Sequence, residues 1–385
     1  MRPEALAPHY SRFRVGERLL LTGHSHQAWP DVALDGQIEA FEDAASDVDT
    51  KWARASAKAD RVRDGFRSLV GDGDIALGAN THELVVRFLS AVDLRAHPRI
   101  VTTDGEFHTL RRQLARLAEE RIEVVRVAAL PADTLAERLA TEVDGHTAAV
   151  MVSSVLFETS RIVPGLDGLA AVCARHGVEL MIDAYHALGV VPMALDGLAD
   201  AWVVGGGYKY LQLGEGNCFL RLPAHAQRLR PVVTGWFAEF DTLAGERDPD
   251  LVAYGPGGTR FAGSTYDPTS NYRAARVFDF FDTHGLTPTV LRAISLHQNA
   301  VLADVFDALD LPAVTRDRTT PRTAFGGFLA LRTPHAAALQ SALAARDILT
   351  DSRGDHLRFG PAPYLRDDQL RAAMAALGEV AADLR

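Results

Sequence analysis

The sequence contains few cysteines, no excess of positive charge and no long apolar run. Only 2 of its 385 residues are cysteines, Cys173 and Cys218, and two thiols cannot build a disulfide framework or a thiolate metal site. The formal net charge of -10 argues against nucleic acid or an anionic membrane as the main partner. No basic-then-apolar signal segment opens the chain, and no apolar run reaches the ~18 residues of a membrane span. These absences predict a soluble cytoplasmic protein.

Apolar runs alternate with helical patterns from about residue 74 to residue 222. The runs of strand length are 75–77, 99–102, 123–127, 148–152, 179–182, 201–204 and 218–222. The helical patterns between them are 84–92, 109–119, 135–141 and 166–176. Such alternation predicts an α/β fold, with a mostly parallel sheet covered by helices on both faces. Ligands of these sheets bind at the carboxyl ends of the strands.

The pattern changes after about residue 287, where short strands and helices predict a smaller α+β domain. We therefore expect a large ligand-binding domain at 46–285 and a small C-terminal domain at 286–385. An N-terminal segment, 1–45, should pack on the small domain and the cleft. The stretch 33–69 has helical spacing, and the stretch 254–268, rich in glycine and proline, is typical of an irregular connection near an active site.

The most informative segment is 205–211, which reads Gly-Gly-Gly-Tyr-Lys-Tyr-Leu and directly follows an apolar run. A lysine after a strand is usually a solvated loop residue. Upstream, Asp183 ends another apolar run and His186 follows three residues later. Alone, the aspartate would be read as a helix cap and the histidine as a packed side chain. The three residues in this order, with a strand before Asp183 and before Lys209, indicate a catalytic site.

The chemistry of these groups points to one cofactor. A lysine that can form a Schiff base and an aspartate that can hold a protonated pyridine nitrogen are what an enzyme using pyridoxal 5'-phosphate needs most. Lys209 and Asp183 supply both groups. The sequence therefore predicts pyridoxal phosphate as the cofactor.

Weaker signals follow three other strands of the predicted sheet. Asn80 and Thr81 open a helix whose free N–H groups suit a phosphate, and a plain helix cap explains them equally well. Phe107 is either a ring that stacks on the pyridine or a core residue. Ser153 and Ser154 are candidate hydrogen-bond donors to the cofactor.

Four motifs resemble those of fold type I, class V pyridoxal phosphate enzymes, and of kynureninases in particular. Segment 183–189 has the pattern Asp-x-x-His-x-x-Gly, and 208–211 reads Tyr-Lys-Tyr-Leu. Segment 235–237 reads Gly-Trp-Phe, and 357–364 reads Leu-Arg-Phe-Gly-Pro-Ala-Pro-Tyr. The first two are specific to the fold type, and the last two favour kynureninase. The resemblance runs from about residue 23 to the C-terminus and implies the aspartate aminotransferase fold.

The resemblance also implies roles for the matching residues. Lys209 would hold the cofactor, Asp183 would pair with its ring nitrogen, and Tyr208 would relay a proton. Arg358 would clamp the α-carboxylate of an amino-acid substrate through a bidentate pair. The other cofactor contacts would be Asn80, Thr81, Phe107, Ser154, His186, Tyr208, Trp236, Ser264 and Thr265. A homodimer is implied as well, with the loop 263–268 reaching the partner's site.

The substrate side departs from the kynureninase pattern. Ala238 and Glu239 follow Gly-Trp-Phe, where kynureninases usually have Gly-His. Glu158 lies in the segment 157–160, which reads Phe-Glu-Thr-Ser in place of the family's Tyr-x-Thr-Gly. If Glu158 or Glu239 lined the cleft, the site would favour a polar or cationic side chain over the benzoyl group of kynurenine.

The segment 23–27 is rich in histidine. His24 and His26 are candidate substrate contacts. Two histidines two residues apart lack the further ligands that a metal site needs. No metal is therefore expected.

Several reactions fit this set of residues. We expect kynureninase-like hydrolytic cleavage of a Cβ–Cγ bond, and a class V aminotransferase or a β-eliminating lyase would use the same lysine and aspartate. Cysteine desulfurases of class V carry a nucleophilic cysteine in their C-terminal part, and no cysteine follows Cys218. A catalytically silent scaffold or regulator is disfavoured because Lys209, Asp183 and Arg358 are all present.

Overall fold

The computed structural model describes residues 3–193, 196–245, 248 and 250–383. Its helices are α1 (Pro3–Leu6), α2 (Val32–Asp47), α3 (Trp52–Val70), α4 (Thr81–Ala91), α5 (His108–Glu119), α6 (Leu135–Thr141), α7 (Leu166–His176), α8 (Thr269–Thr283), α9 (Pro288–Asp307), α10 (Ala336–Ala344) and α11 (Asp367–Asp383). Its strands are β1 (Leu19–Leu20), β2 (Asp74–Gly78), β3 (Arg99–Thr103), β4 (Glu123–Val127), β5 (Thr147–Ser153), β6 (Glu179–Asp183), β7 (Trp202–Gly206), β8 (Cys218–Leu222), β9 (Leu329–Arg332), β10 (Ile348–Leu349), β11 (Asp351–Arg353) and β12 (His356–Phe359).

The central sheet has the strand order β2-β8-β7-β6-β5-β3-β4. The strands from β7 to β4 in that order pair in parallel, and β8 pairs antiparallel with both β7 and β2. The register sets Ser153 opposite Asp183, and Asp183 opposite Val204. β5 and β6 thus end at one level, and β7 continues from Val204 to Gly206, at the edge where such sheets bind ligands. The predicted α/β class with a mostly parallel sheet is confirmed.

Side chains of the central strands alternate between two apolar layers. Val150 and Val152 of β5 pack with residues of α6 and α7, whereas Ala149 and Met151 pack with residues of α4 and α5. All seven residues of β5 are buried. Because both faces of the strand are covered, its sequence is a continuous apolar run. None of the helices in the described ranges is long and apolar enough to cross a membrane.

The N-terminal segment runs along the small domain. β1 pairs in parallel with β10, and Leu19 lies opposite Ile348. The backbone N–H of Gly23 then donates to the carbonyl of Gly360, at 2.9 Å. The neighbouring strands β11, β12 and β9 form an antiparallel sheet. The segment that carries His24 is therefore fixed beside the end of β12. The domain limits at residues 45 and 285 stay predictions.

Two helical regions differ from the expectation. The stretch 33–69 is two helices, because the chain breaks after Asp47 and Val48 takes a φ of 38°. A positive φ is costly for a β-branched residue and ends the helix. α8 has no counterpart among the predicted helices, although Tyr272, Ala275 and Phe278 recur at helical spacing on its buried side. It packs against both α2 and α3.

The crossing of α2 and α8 depends on the absence of a side chain at Gly36. A Cβ at this position would lie 2.6 Å from the carbonyl oxygen of Tyr272 and 2.9 Å from the Cα of Arg273. Backbone atoms cannot move aside as a flexible side chain does, so we expect Gly36→Ala to lower the unfolding free energy by about 1–3 kcal/mol.

Gly168→Ala is the matched control, because Gly168 is an exposed glycine of α7 with no atom within 4 Å of an added Cβ. Alanine there should raise stability by about 0.5–1 kcal/mol through helix propensity alone. Thermal unfolding of the two variants measures both effects. Similar increases in Tm in both would contradict the close helix crossing.

Candidate active site

A cavity of about 300 Å³ opens at the carboxyl ends of the parallel strands, beside the first turn of α4. Many of the residues singled out in the sequence line it. They are Asn80, Thr81, Phe107, Asp183, His186, Tyr208 and Lys209. The fold therefore brings together, in one cavity, residues that are up to 129 positions apart in sequence (80 to 209).

Lys209 is buried at the base of this site. Its side chain is 6% exposed, and its Nζ donates a hydrogen bond to the backbone carbonyl of His24, at 2.8 Å. The amine lies 5.3 Å from the ring centroids of Tyr185 and Tyr208 and 5.7 Å from that of Phe107. Burial, assisted by the positive charge of Arg358, lowers the pKa of Lys209 to about 7. Near neutral pH a large share of the amine is uncharged and nucleophilic.

The glycines before Lys209 are required by close packing. A Cβ on Gly206, the last residue of β7, would collide with the hydroxyl of Tyr185 and the sulfur of Cys218. The strand can therefore approach its neighbours only with glycine here. A Cβ on Gly205 would lie 2.7 Å from the side chain of Leu188, and a Cβ on Gly207 would lie 2.4 Å from that of Leu213, so all three glycines of the lysine segment are closely packed.

Asp183 ends β6 and turns its carboxylate toward the cavity. Its Oδ1 accepts a hydrogen bond from the backbone N–H of Tyr185, at 2.8 Å. Burial raises the pKa of Asp183 to about 6, while the Tyr185 N–H and the charge of Lys209 act in the opposite direction. The carboxylate is therefore mostly ionised at neutral pH and can hold a cationic N–H group.

Phe107 and the start of α4 form two further walls. The ring of Phe107 meets that of Phe157 edge to face, with centroids 5.4 Å apart. Asn80 caps α4 by accepting from the backbone N–H of Glu83 at 3.0 Å, and it donates to the carboxylate of Glu83 at 3.1 Å. The helix-cap interpretation of the Asn80 side chain is thus correct. The first turn of α4 still faces the cavity and suits an anion.

The serine that lines the cavity is Ser153, not Ser154. The hydroxyl of Ser154 donates to the backbone carbonyl of Asp183, at 3.2 Å. Side chains alternate along a strand, so a shift of one position exchanges the side chain that faces the ligand. The sequence also gave no reason to select Tyr185 or Glu106. Tyr185 lines the cavity, and Glu106 contacts it through Ser153, both as a result of tertiary packing.

Arg358 lies behind the wall formed by Phe157. It is 2% exposed, and its guanidinium donates to the carbonyl of Phe157 and to the carboxylate of Asp351. Its Nε is buried without a partner. Arg353 also binds Asp351, at 2.6 Å. Arg358 does not itself line the cavity, so its role as a substrate clamp stays a prediction.

The two histidines of the N-terminal segment have different surroundings. His24 is fully buried, its ring packs on Phe328, and its Nε2 lies 3.7 Å from Asp351. Burial, then the charges of Arg358 and Lys209, hold the pKa of His24 well below its usual value, so the ring is neutral. His26 is exposed and stacks on Tyr208, with centroids 4.8 Å apart. Neither residue lines the cavity, and their substrate contacts stay predictions.

Trp236, Ser264 and Thr265 do not line the cavity of their own chain. All three are exposed, and the side chain of Trp236 is 41% accessible. Their loops touch, because the backbone N–H of Phe237 donates to the carbonyl of Gly263 at 3.1 Å. The three predicted cofactor contacts therefore lie together on one surface.

The glutamates on the substrate side are also outside the lining. Glu158 is exposed and Glu239 is half-buried. Their neighbour Phe157 is the residue of that region that reaches the cavity. Within the described part of the chain, no group of His, Cys, Asp and Glu has an arrangement that could hold a metal ion.

The residues present fit pyridoxal phosphate. A buried amine and a buried carboxylate lie in one cavity with an aromatic ring and a helix N-terminus. The Nδ1 of His186 is buried there without a hydrogen-bond partner. Burial and the nearby charge of Lys209 keep the pKa of His186 well below its usual value, so this ring is also neutral.

Comparisons with known proteins agree with this site. The family of kynureninase C-terminal domains matches residues 291–377. The kynureninase of Deinococcus radiodurans is 26% identical, over 96% of this chain and 91% of that protein. The kynureninase of Pseudomonas fluorescens is 26% identical, over 98% of this chain and 92% of that protein.

A solved structure of the C-DES protein, with glycine covalently linked to its PLP cofactor, superposes with a TM-score of 0.84. It is 16% identical and the superposition covers 97% of this chain and 98% of that chain, so it speaks for the fold alone. The sheet, the cavity and the similar proteins lead to one assignment. The chain is a pyridoxal phosphate-dependent enzyme with the type I fold, and it is similar to kynureninases and to class V aminotransferase-like proteins.

Proposed function

We propose that the protein hydrolyses the Cβ–Cγ bond of a kynurenine-type α-amino acid. The observation that carries the proposal is the match of residues 291–377 to kynureninase C-terminal domains, because this region contains Arg358 and Asp351 beside the cavity. The lining supports an aromatic substrate, since Phe107 and Phe157 face the cavity while Glu158 and Glu239 do not.

The cofactor would be held by groups from several elements. Lys209 would bind its aldehyde, Asp183 its ring nitrogen, and the first turn of α4 with Thr81 its phosphate. Phe107 would stack on the ring. When bound, pyridoxal phosphate withdraws electrons from the Cα of the amino acid attached to it.

The chain's own groups would move the protons. With a pKa near 7, Lys209 can take a proton from Cα near neutral pH. Burial raises the pKa of Tyr208 to about 12, so its hydroxyl stays protonated and can donate. Asp183 would keep its charge under the ring nitrogen. The buried histidines His24 and His186 are neutral, and they add no charge to the substrate side.

The α-carboxylate of the substrate would bind Arg358. The two terminal nitrogens of that guanidinium donate to the Phe157 carbonyl and to the Asp351 carboxylate. The unpartnered Nε leaves a donor for the incoming carboxylate. Two arginines share the single carboxylate of Asp351, so the group has an excess positive charge that suits one anion.

A desulfurase reaction lacks its nucleophile. Cys173 and Cys218 are both buried, and burial raises the pKa of each thiol to about 12. Thiolate is therefore scarce near neutral pH. Cys218 lines the cavity, but its thiol is not suited to forming a persulfide.

Attachment of the cofactor to Lys209 is directly testable, because the only other lysines are Lys51 and Lys58. Borohydride reduction of the purified holoenzyme should leave a pyridoxyl group on Lys209, as peptide mass spectrometry would show. Lys58→Ala removes a surface lysine that pairs with Glu39 at 2.6 Å and should leave the adduct unchanged. An adduct on Lys51 or Lys58, or none at all, would contradict the assignment.

Kynurenine should be converted to anthranilate and alanine, which fluorescence and amino-acid analysis detect. Arg358→Lys keeps the charge but loses the planar fork, so kcat/KM should fall roughly 10- to 100-fold. The fall should appear mainly in KM, with the visible spectrum of the cofactor unchanged. Arg366→Lys is a matched control, because Arg366 is paired with Asp368 at the surface. Failure to release anthranilate despite a normal cofactor spectrum would point to another amino acid.

The exposed loops support a homodimer with shared sites. Apolar side chains on or near them are exposed, namely Val232, Val233, Trp236, Phe240, Leu251 and Val252, as is common at protein interfaces. In the dimer, Ser264 and Thr265 would reach the cofactor of the partner subunit.

Mixed dimers test this arrangement. Lys209→Ala and the double variant Ser264→Ala/Thr265→Ala should each be nearly inactive, because each damages both sites. Co-expressed, half of the dimers would be mixed with one intact site of two, giving about a quarter of wild-type activity. Activity no higher than that of the parent variants would place the loop in its own site, and a fully active monomer by light scattering would refute the dimer.

A further inference from the structure

Glu106 is a buried acid that the proposed mechanism does not use. It is 2% exposed and lies between the end of β3 and Phe107. Its carboxylate accepts three hydrogen bonds, from the Thr103 hydroxyl at 2.7 Å, the Ser153 N–H at 3.1 Å and the Ser153 hydroxyl at 2.6 Å. None of the ion pairs found among the described residues involves it.

These contacts tie the ends of two strands together. Thr103 ends β3, Ser153 ends β5, and Ser153 lies opposite Asp183 in the register of β5 and β6. Glu106 thus lies at the ends of β3 and β5, one strand away from Asp183 of β6. It also fixes the loop that presents Phe107 to the cavity.

Hydrogen bonding alone does not explain an acid at this position. A glutamine could make the same contacts, with its oxygen accepting from Thr103 and the Ser153 N–H and its nitrogen donating to the Ser153 hydroxyl. Burying a carboxylate without a cationic partner is unfavourable. The acid at this position is therefore a candidate for an electrostatic role.

We propose that Glu106 is a positioning residue of the cofactor site. Its hydrogen bonds hold the Phe107 loop on the sheet, and its negative charge acts together with Asp183 to stabilise a proton on the bound cofactor. The inference rests on the proposed role of Asp183 at the ring nitrogen.

The surroundings of Glu106 are consistent with such coupling. Asp183 is the charged group that acts on it from β6, and the charge of Lys209 acts in turn on Asp183. His108, which follows on α5, has its ring against Phe157. Burial, with the charge of Asp183 adding to it, raises the pKa of Glu106 to about 7, while the bonds from Ser153 and Thr103 oppose the rise. Its charge therefore develops around neutral pH.

Glu106→Gln separates charge from position. The variant keeps the hydrogen-bond pattern and removes the charge, and the visible spectrum of the bound cofactor is titrated with pH. We expect the midpoint of this spectral titration to fall by about one pH unit, because removing a nearby negative charge in a buried site weakens proton binding by the cofactor. Glu158→Gln removes an exposed acid near the same cavity and should leave the midpoint within about 0.2 units, since solvent screens it. An unchanged midpoint in Glu106→Gln would overturn the proposal.

Two further variants keep the test decisive. If Glu106→Gln does not fold, Ser153→Ala can replace it, because this variant removes the hydroxyl that donates a hydrogen bond to Glu106. The midpoint of the titration should then shift in the same direction. A wild-type midpoint in Ser153→Ala counts against the proposal. Asp183→Asn tests the premise separately. If Asp183→Asn shifts the midpoint and Glu106→Gln does not, this inference fails while the proposed function stands. If Asp183→Asn shifts nothing, the proposed role of Asp183 fails first.

Discussion

The arrangement of the site depends on a buried amine at the edge of a parallel sheet. Lys209 is surrounded by aromatic rings and has one neutral acceptor, the carbonyl of His24. Removing the amine from water lowers its pKa to about 7, which makes it reactive at the pH where most enzymes work. The amine is kept away from water without forming a tight ion pair. The glycines at the strand end, the neutral histidines and the buried carboxylates are all consistent with this arrangement.

The charges around the cavity form two separate groups. On the sheet side, the carboxylate of Asp183 lines the cavity and that of Glu106 lies one strand away, bonded to Ser153. On the small-domain side, Arg353 and Arg358 share Asp351. Lys209 lies between the two groups, and both act on it, because Arg358 lowers the pKa of Lys209 and Asp183 raises it. This polarity would orient an amino acid with its carboxylate toward the small domain.

Sequence patterns were sufficient for the sheet and for the residues that directly follow its strands. Lys209, Asp183 and Phe107 could be predicted because the carboxyl ends of parallel strands meet at one edge. The sequence offered both Ser153 and Ser154 and could not choose between them, because the position where a strand ends decides which of two adjacent serines faces the ligand. Glu106 and Asp351 were out of reach, since their partners come from other strands and no local pattern records such pairing. The break in 33–69 also depended on a single residue, Val48, with a positive φ.

The pairing of β1 with β10 has a consequence for how the protein is made. Leu19 leaves the ribosome early, and its partner Ile348 follows 329 residues later (348 - 19). At typical rates of synthesis that interval is roughly 15 to 65 s. During it the carbonyl of His24 cannot yet be held against Lys209 by the small domain. The large sheet can form as its strands emerge, but the wall that seals the reactive amine is completed only when nearly the whole chain has been translated.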